Sequence, residues 1–181
     1  NPSSAASDVY KRQGLMKNIF PKAKLTNVNM NAIDKLDKGA FSVFMGMLLL
    51  DYGNDAEKIS KATVRLSNSE AKDAQSIVDW NNNSAKLNSD KLEMVKFSQK
   101  YDKSMIDKYL EATGKTTLTS RLKKLKVTSI KDLPINGKDL TQLGFRGKMI
   151  GDAMNFALSY AVNNNTNNKD KILSAVQDNF K

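Results

Sequence analysis

Among the 181 residues, the segment Leu143-Gly144-Phe145-Arg146-Gly147-Lys148-Met149-Ile150-Gly151 has the residue types and spacing best suited to chemistry, and that chemistry is anion binding. Glycines bracket an arginine at a tight turn. Behind it Ile150, Met154, Ala157, Leu158 and Ala161 recur at helical spacing, which predicts a helix starting near Lys148. The opening amides of a helix lack intrahelical acceptors, and the helix dipole adds positive potential there. Arg146 and Lys148 flank those amides, while Gly147 and Gly151 leave room for a sugar-phosphate backbone. Just upstream, Leu133-Pro134-Ile135-Asn136-Gly137-Lys138-Asp139-Leu140 predicts an extended Leu133, an Asn-Gly turn, and a short helix from Lys138 to about Leu143 that Gly144 stops. The plain alternative is a helical hairpin with surface lysines.

Little else in the chain invites chemistry. With no cysteine and no histidine, thiolate nucleophiles, imidazole bases, disulfides and the common zinc sites are excluded. Gly114-Lys115-Thr116 does not make a phosphate loop, because Tyr109 stands where that pattern needs a glycine. Asp34 with Asp37, and Asp51 with Asp55, have the spacing that paired-metal chemistry would use. Both pairs lie among lysines at expected helix ends and read as solvated caps, so no metal ligand and no catalytic residue is assigned. Trp80, Phe41, Phe44 and the eight methionines read as core.

The charge is concentrated where the candidate site lies. The chain carries 29 basic and 19 acidic residues, a net +10. Residues 115–148 hold nine basic and two acidic groups, against 15 and 13 in residues 14–114 and three and three in residues 149–181. A local block of this kind predicts a polyanionic partner. Arg121, Lys123 and Lys124 belong to it, and together with Lys138, Gly144, Arg146, Gly147, Lys148 and Gly151 they form the expected phosphate-binding set.

The elements that must position these residues read as an all-α chain, since no sustained alternation marks a strand. A helix rich in apolar residues is expected within Asp37 to Tyr52, and an amphipathic one over Asp55 to Leu66 with Ile59, Ala62, Val64 and Leu66 as its stripe. Ser67-Asn68-Ser69-Glu70 has the capping-box pattern and opens a helix that should end at Asn81-Asn82-Asn83. A long helix from Asn88 to Thr113 ends at Gly114, a short one carries Leu118, Leu122 and Leu125, and a last one spans Lys169 to Asn179. The expected division is a helical body over residues 14–113 and a smaller basic tail over residues 114–181. Ser3 to Gln13, reading SSAASDVYKRQ, resembles the translation of a sequencing adapter, so residues 1–13 are set aside as a non-native leader. The uncharged stretch Ala40 to Leu50 is far shorter than the roughly 20 apolar residues that cross a bilayer, and no export signal is visible, which predicts a cytoplasmic protein.

Leu133 to Leu140, then Leu143 to Gly151, then a helix, an Asn-rich loop and Asn168-Lys169, resemble the tail of bacterial class II CCA-adding enzymes, the tRNA nucleotidyltransferases. Gly14 to Pro21 is similar to the end of that family's neck, and Leu48-Leu49-Leu50 through Arg65 to Glu70 is similar to its body. The family often has proline where Arg146 or Gly147 stands here, a departure that adds a cation. The resemblance implies addition of C, C and A to tRNA 3′ ends from CTP and ATP with magnesium, by a head and neck whose carboxylates and base-selecting residues this sequence does not show. It implies further that this chain is the C-terminal, tRNA-holding part, needs no cofactor of its own, is inactive alone, and grips the elbow and T arm of tRNA. A second reading is a stand-alone helix-hairpin-helix module on duplex DNA, and a third is a basic helical interaction domain.

Overall fold

The computed structural model describes residues 17–24, 30–33, 35–36 and 40–180. The leader, the Gly14-Leu15-Met16 part of the neck-like segment, and Asp34 and Asp37 lie outside them. Among the described residues there are ten α-helices and no strand, so the fold is all-α. In chain order these are α1 (Met30–Ile33), α2 (Phe41–Leu48), α3 (Ala56–Val64), α4 (Asn68–Ser89), α5 (Lys91–Lys100), α6 (Lys103–Ala112), α7 (Leu118–Leu122), α8 (Gly137–Gln142), α9 (Lys148–Asn163) and α10 (Lys169–Asn179). Two 3-10 turns, Leu50–Asp55 and Ile130–Asp132, interrupt the series. The chain forms two compact units that interleave in sequence: the first runs to Ala85 and resumes over Lys100–Leu118, and the second comprises Lys86–Gln99 and Thr119–Lys181.

In the first unit α2 lies directly against α4. A Cβ on Gly46 would sit 2.5 Å from the Ile77 Cβ and 2.8 Å from the Ala74 carbonyl oxygen, so only glycine permits this approach. Trp80, Ile77, Leu48, Ile106 and Leu110 fill the surrounding core. Ser67 and Glu70 form the predicted capping box: the Ser67 amide donates to Glu70 Oε2 at 3.0 Å and the Glu70 amide to Ser67 Oγ at 3.3 Å. The Ser67 hydroxyl, which donates to Glu70 Oε2 at 2.6 Å, and then the Ser67 amide hold the Glu70 carboxyl below its usual range.

Several expectations need correction. The Asn81-Asn82-Asn83 run does not end α4, because Asn81 and Asn83 each donate Nδ2 one turn back, to the carbonyls of Ile77 and Asp79 at 2.8 Å. The asparagines thus stay inside the helix. The expected long helix from Asn88 to Thr113 is instead α5 and α6, split where Asp102 turns extended (φ −64°, ψ 132°) to cap the Ser104 amide. In α3 the buried positions are Ala56 and Ser60, while Ala62 is exposed. Phe41 and Met149 are about half exposed rather than core.

In the second unit α9 is the central element and packs on α8, on α10 and on the 3-10 turn at Ile130–Asp132. Its buried positions are Ala153, Ala157, Leu158, Ala161 and Val162, with Ile150 and Met154 at the edge. Asn136-Gly137 does not form a free turn: Asn136 is extended and caps α8, accepting from the Lys138 and Asp139 amides at 2.8 and 3.3 Å. Asp139 returns the favour by accepting from the Asn136 amide at 2.8 Å, which completes a second capping box.

Candidate nucleic-acid interface

The hairpin between α8 and α9 is built from the ends of the two helices. Helix α8 closes in a Schellman motif: the Phe145 amide donates to the Leu140 carbonyl and the Gly144 amide to the Thr141 carbonyl, both at 3.1 Å. That geometry needs a left-handed residue, and Gly144 supplies it with φ 94°. Phe145 then turns inward and meets the Phe180 ring edge-on at 5.6 Å, while Phe180 in turn meets Phe156 at 6.0 Å. Its buried ring fixes the turn from below. Gly147 follows with φ 52° and ψ −127°, and α9 begins at Lys148 with no side chain capping its amides.

The opening amides of α9 are only partly open. Met149 and Ile150 donate to the Arg146 and Gly147 carbonyls at 3.1 and 3.2 Å. Gly147 and Lys148 carry no amide hydrogen bond among the described residues. Around them the surface is open: Gly144, Gly147, Lys148 and Gly151 are exposed, and a Cβ on any of the three glycines would meet nothing within 4 Å. Arg146 is exposed as well, with Nη1 donating to the Thr141 and Phe145 carbonyls at 2.8 and 3.0 Å. It therefore faces the C-terminal carbonyls of α8, and a guanidinium has further N–H donors for another acceptor. Lys138 is exposed on α8, whose first residue Gly137 lies 3.7 Å, measured from an added Cβ, from the Ile150 side chain.

Both carboxylates of the basic block are committed locally. Asp132 accepts from the Thr128 amide and hydroxyl at 3.0 Å, and these bonds lower its pKa. Asp139 takes Lys169 Nζ at 2.6 Å besides the Asn136 amide, and those two partners, in that order, hold its carboxyl below the usual range. Neither acid neutralises Lys148 or Lys124.

Arg121, Lys123 and Lys124 form a separate cluster. Asn165, left-handed at φ 45°, follows the last turn of α9 and accepts from the Lys126 amide at 2.9 Å while donating to the Lys124 carbonyl at 3.2 Å. This places Lys124 at the C-terminal end of α9, whereas Arg146 and Lys148 lie at its N-terminal end. The 16 residues of α9 separate the two groups by about 24 Å. The predicted set is thus two anchors along one helix. Sequence reasoning missed Lys91, which lines a pocket with Arg121 and Lys124; no spacing connects residue 91 to residue 121.

Among the described residues no three acidic groups converge on a metal position, and Asp51 lies 4.0 Å from Lys24 Nζ. No helix among the described residues is long and apolar enough to cross a membrane.

The described residues thus form an all-helical chain with an exposed, cationic helical hairpin. The family model for tRNA nucleotidyltransferase domain 2 matches residues 46–176. The chain belongs to the tRNA nucleotidyltransferases, the CCA-adding enzyme family. No curated protein and no solved structure matches it.

Proposed function

We propose that this chain holds tRNA for nucleotide addition through the phosphates of its elbow and T arm, using the two cationic anchors of the second unit, and that it catalyses no addition by itself. The observation behind this reading is the uncapped start of α9, ringed by exposed glycines and by Arg146 and Lys148, in a block whose acids are occupied elsewhere. Anchors about 24 Å apart along a helix suit an extended, folded polyanion better than one phosphate. The sequence has no Gly-Ser followed by paired aspartates, so the magnesium, CTP and ATP of the family reaction are assigned no ligands here. The proposal includes a cytoplasmic location, since its ligand is tRNA.

If about five phosphates are neutralised, the log-log salt slope of tRNA binding is on the order of −4. Arg146→Ala with Lys148→Ala is expected to weaken binding and to make the slope shallower by about 2. Lys58→Ala with Lys61→Ala should do neither, since Lys61 is held by Glu57 at 2.6 Å. Duplex DNA should compete poorly with tRNA; the reverse preference would favour the helix-hairpin-helix reading. Incorporation of CMP by the purified chain would overturn the division between holding and chemistry.

A further inference from the structure

The second cationic anchor contains a pocket. Leu87, Met94 and Leu125 supply apolar walls, and Lys91, Arg121 and Lys124 stand around them together with Asn88. Its volume is about 210 Å³, below the roughly 300–1,000 Å³ of sites that enclose a drug-sized ligand. The space suits a group the size of a base or a ribose with its phosphate rather than a drug-sized ligand. Asn88 Oδ1 accepts from Arg121 Nη1, which ties together two of the residues around the pocket.

The electrostatics are one-sided. No carboxylate lines the pocket, and the nearest acids along α5 are engaged elsewhere. Asp90 accepts from the Leu92 and Glu93 amides at 2.9 and 3.1 Å, capping α5. Glu93 is held by Lys86 and Lys96 at 3.0 and 2.9 Å, which lowers its pKa. Lys91 and Lys124 carry no ion pair among the described residues.

From this geometry we infer that the pocket is a nucleotide site: a base or ribose rests on Leu87, Met94 and Leu125 while its phosphate meets Lys91, Arg121 and Lys124. The inference deepens the tRNA reading, on which it rests for the ligand's class. The nucleotide is either an unstacked one of the bound RNA or a free one, and the two share this chemistry.

The test is a titration of the intact 181-residue chain with AMP, adenosine and inorganic phosphate, followed by amide chemical shifts. AMP is expected to shift Asn88, Lys91, Lys124 and Leu125, with adenosine and phosphate each about tenfold weaker because each offers half of the contacts. Lys91→Gln with Lys124→Gln, both exposed and so harmless to folding, should weaken AMP about tenfold or more. Leu125→Ala should weaken AMP severalfold and leave phosphate unchanged. Displacement of AMP by tRNA assigns the site to an RNA nucleotide, and retention of AMP on the tRNA complex assigns it to a free one. Phosphate binding as tightly as AMP, or AMP shifts that ignore all three substitutions, would overturn the site. A chain that takes AMP here but does not bind tRNA would sink the proposed function and leave the pocket standing.

Discussion

Gly53 and Gly147 adopt one backbone conformation, φ 53° and ψ −127° in the first and φ 52° and ψ −127° in the second, and each precedes a helix. Their surroundings differ. In the first unit the Gly53 carbonyl accepts from Gln75 Nε2 at 2.9 Å, and the same buried glutamine accepts from the Glu57 amide at 2.8 Å and donates to Asp79 Oδ1 at 2.7 Å. Tyr101 and Lys100 complete the network on Asp79 Oδ2. In the second unit no side chain caps the helix start after Gly147, and the turn is exposed. The same kink is locked by a satisfied polar cluster in one unit and left open to solvent in the other. Polar groups turned inward specify a fold, and those left outward with one sign of charge specify a partner.

The largest expected effect comes from opening the locked kink. Gln75→Leu leaves the Glu57 amide, the Gly53 carbonyl and one oxygen of Asp79 without their partner, and should destabilise the protein by about 3 kcal/mol. Urea unfolding followed by the fluorescence of Trp80, the one tryptophan and a buried residue of the first unit, measures it. A loss below about 1 kcal/mol would mean that the network contributes little. The next effect tests the glycines themselves. Alanine at Gly53 or Gly147 has room for its methyl group but not the backbone freedom, so each should cost about 2 kcal/mol. Only Gly147→Ala should also weaken tRNA binding, and equal effects of both on binding would break the contrast.

Those glycines show what the sequence makes readable. The turn at Gly144 to Gly147, the start of α9 at Lys148 and the capping box at Ser67 follow from local chemistry: left-handed backbone needs, apolar period and a serine three residues before a glutamate. The exposed face of the candidate site is legible for the same reason. Local rules fail where a partner distant in sequence decides. Asn81 continues α4 with Nδ2 bonded one turn back and Oδ1 accepting from the Tyr109 hydroxyl at 2.9 Å, 28 residues away. Tyr101 leaves the helical path beside its bond to Asp79, and Phe180 seats Phe145 from the last turn of the chain. Likewise Asn165 moves Lys124 to the far end of α9, so a continuous charge block in sequence becomes two anchors in space.

The smallest effect separates the units by pH. Burial first, and then the bond to Asp79, push the Tyr101 hydroxyl up to about 12. A group whose folded pKa is raised is protonated in both states below its unfolded pKa near 10, so its contribution is fully present there and is lost as pH climbs toward 12. Trp80 fluorescence should therefore report a stability that holds to about pH 10 and falls above it. Tyr101→Phe should flatten that fall, with a remainder from Tyr109, whose hydroxyl burial also raises. On the acid side Asp79 works in the opposite sense. Burial raises its pKa, but the bonds from Tyr101, Gln75 and Lys100 together outweigh burial and leave it lowered, so its stabilisation is present above about pH 4 and fades as pH falls further. An unchanged alkaline limb in Tyr101→Phe would show that the buried cluster does not set the pH response of the first unit.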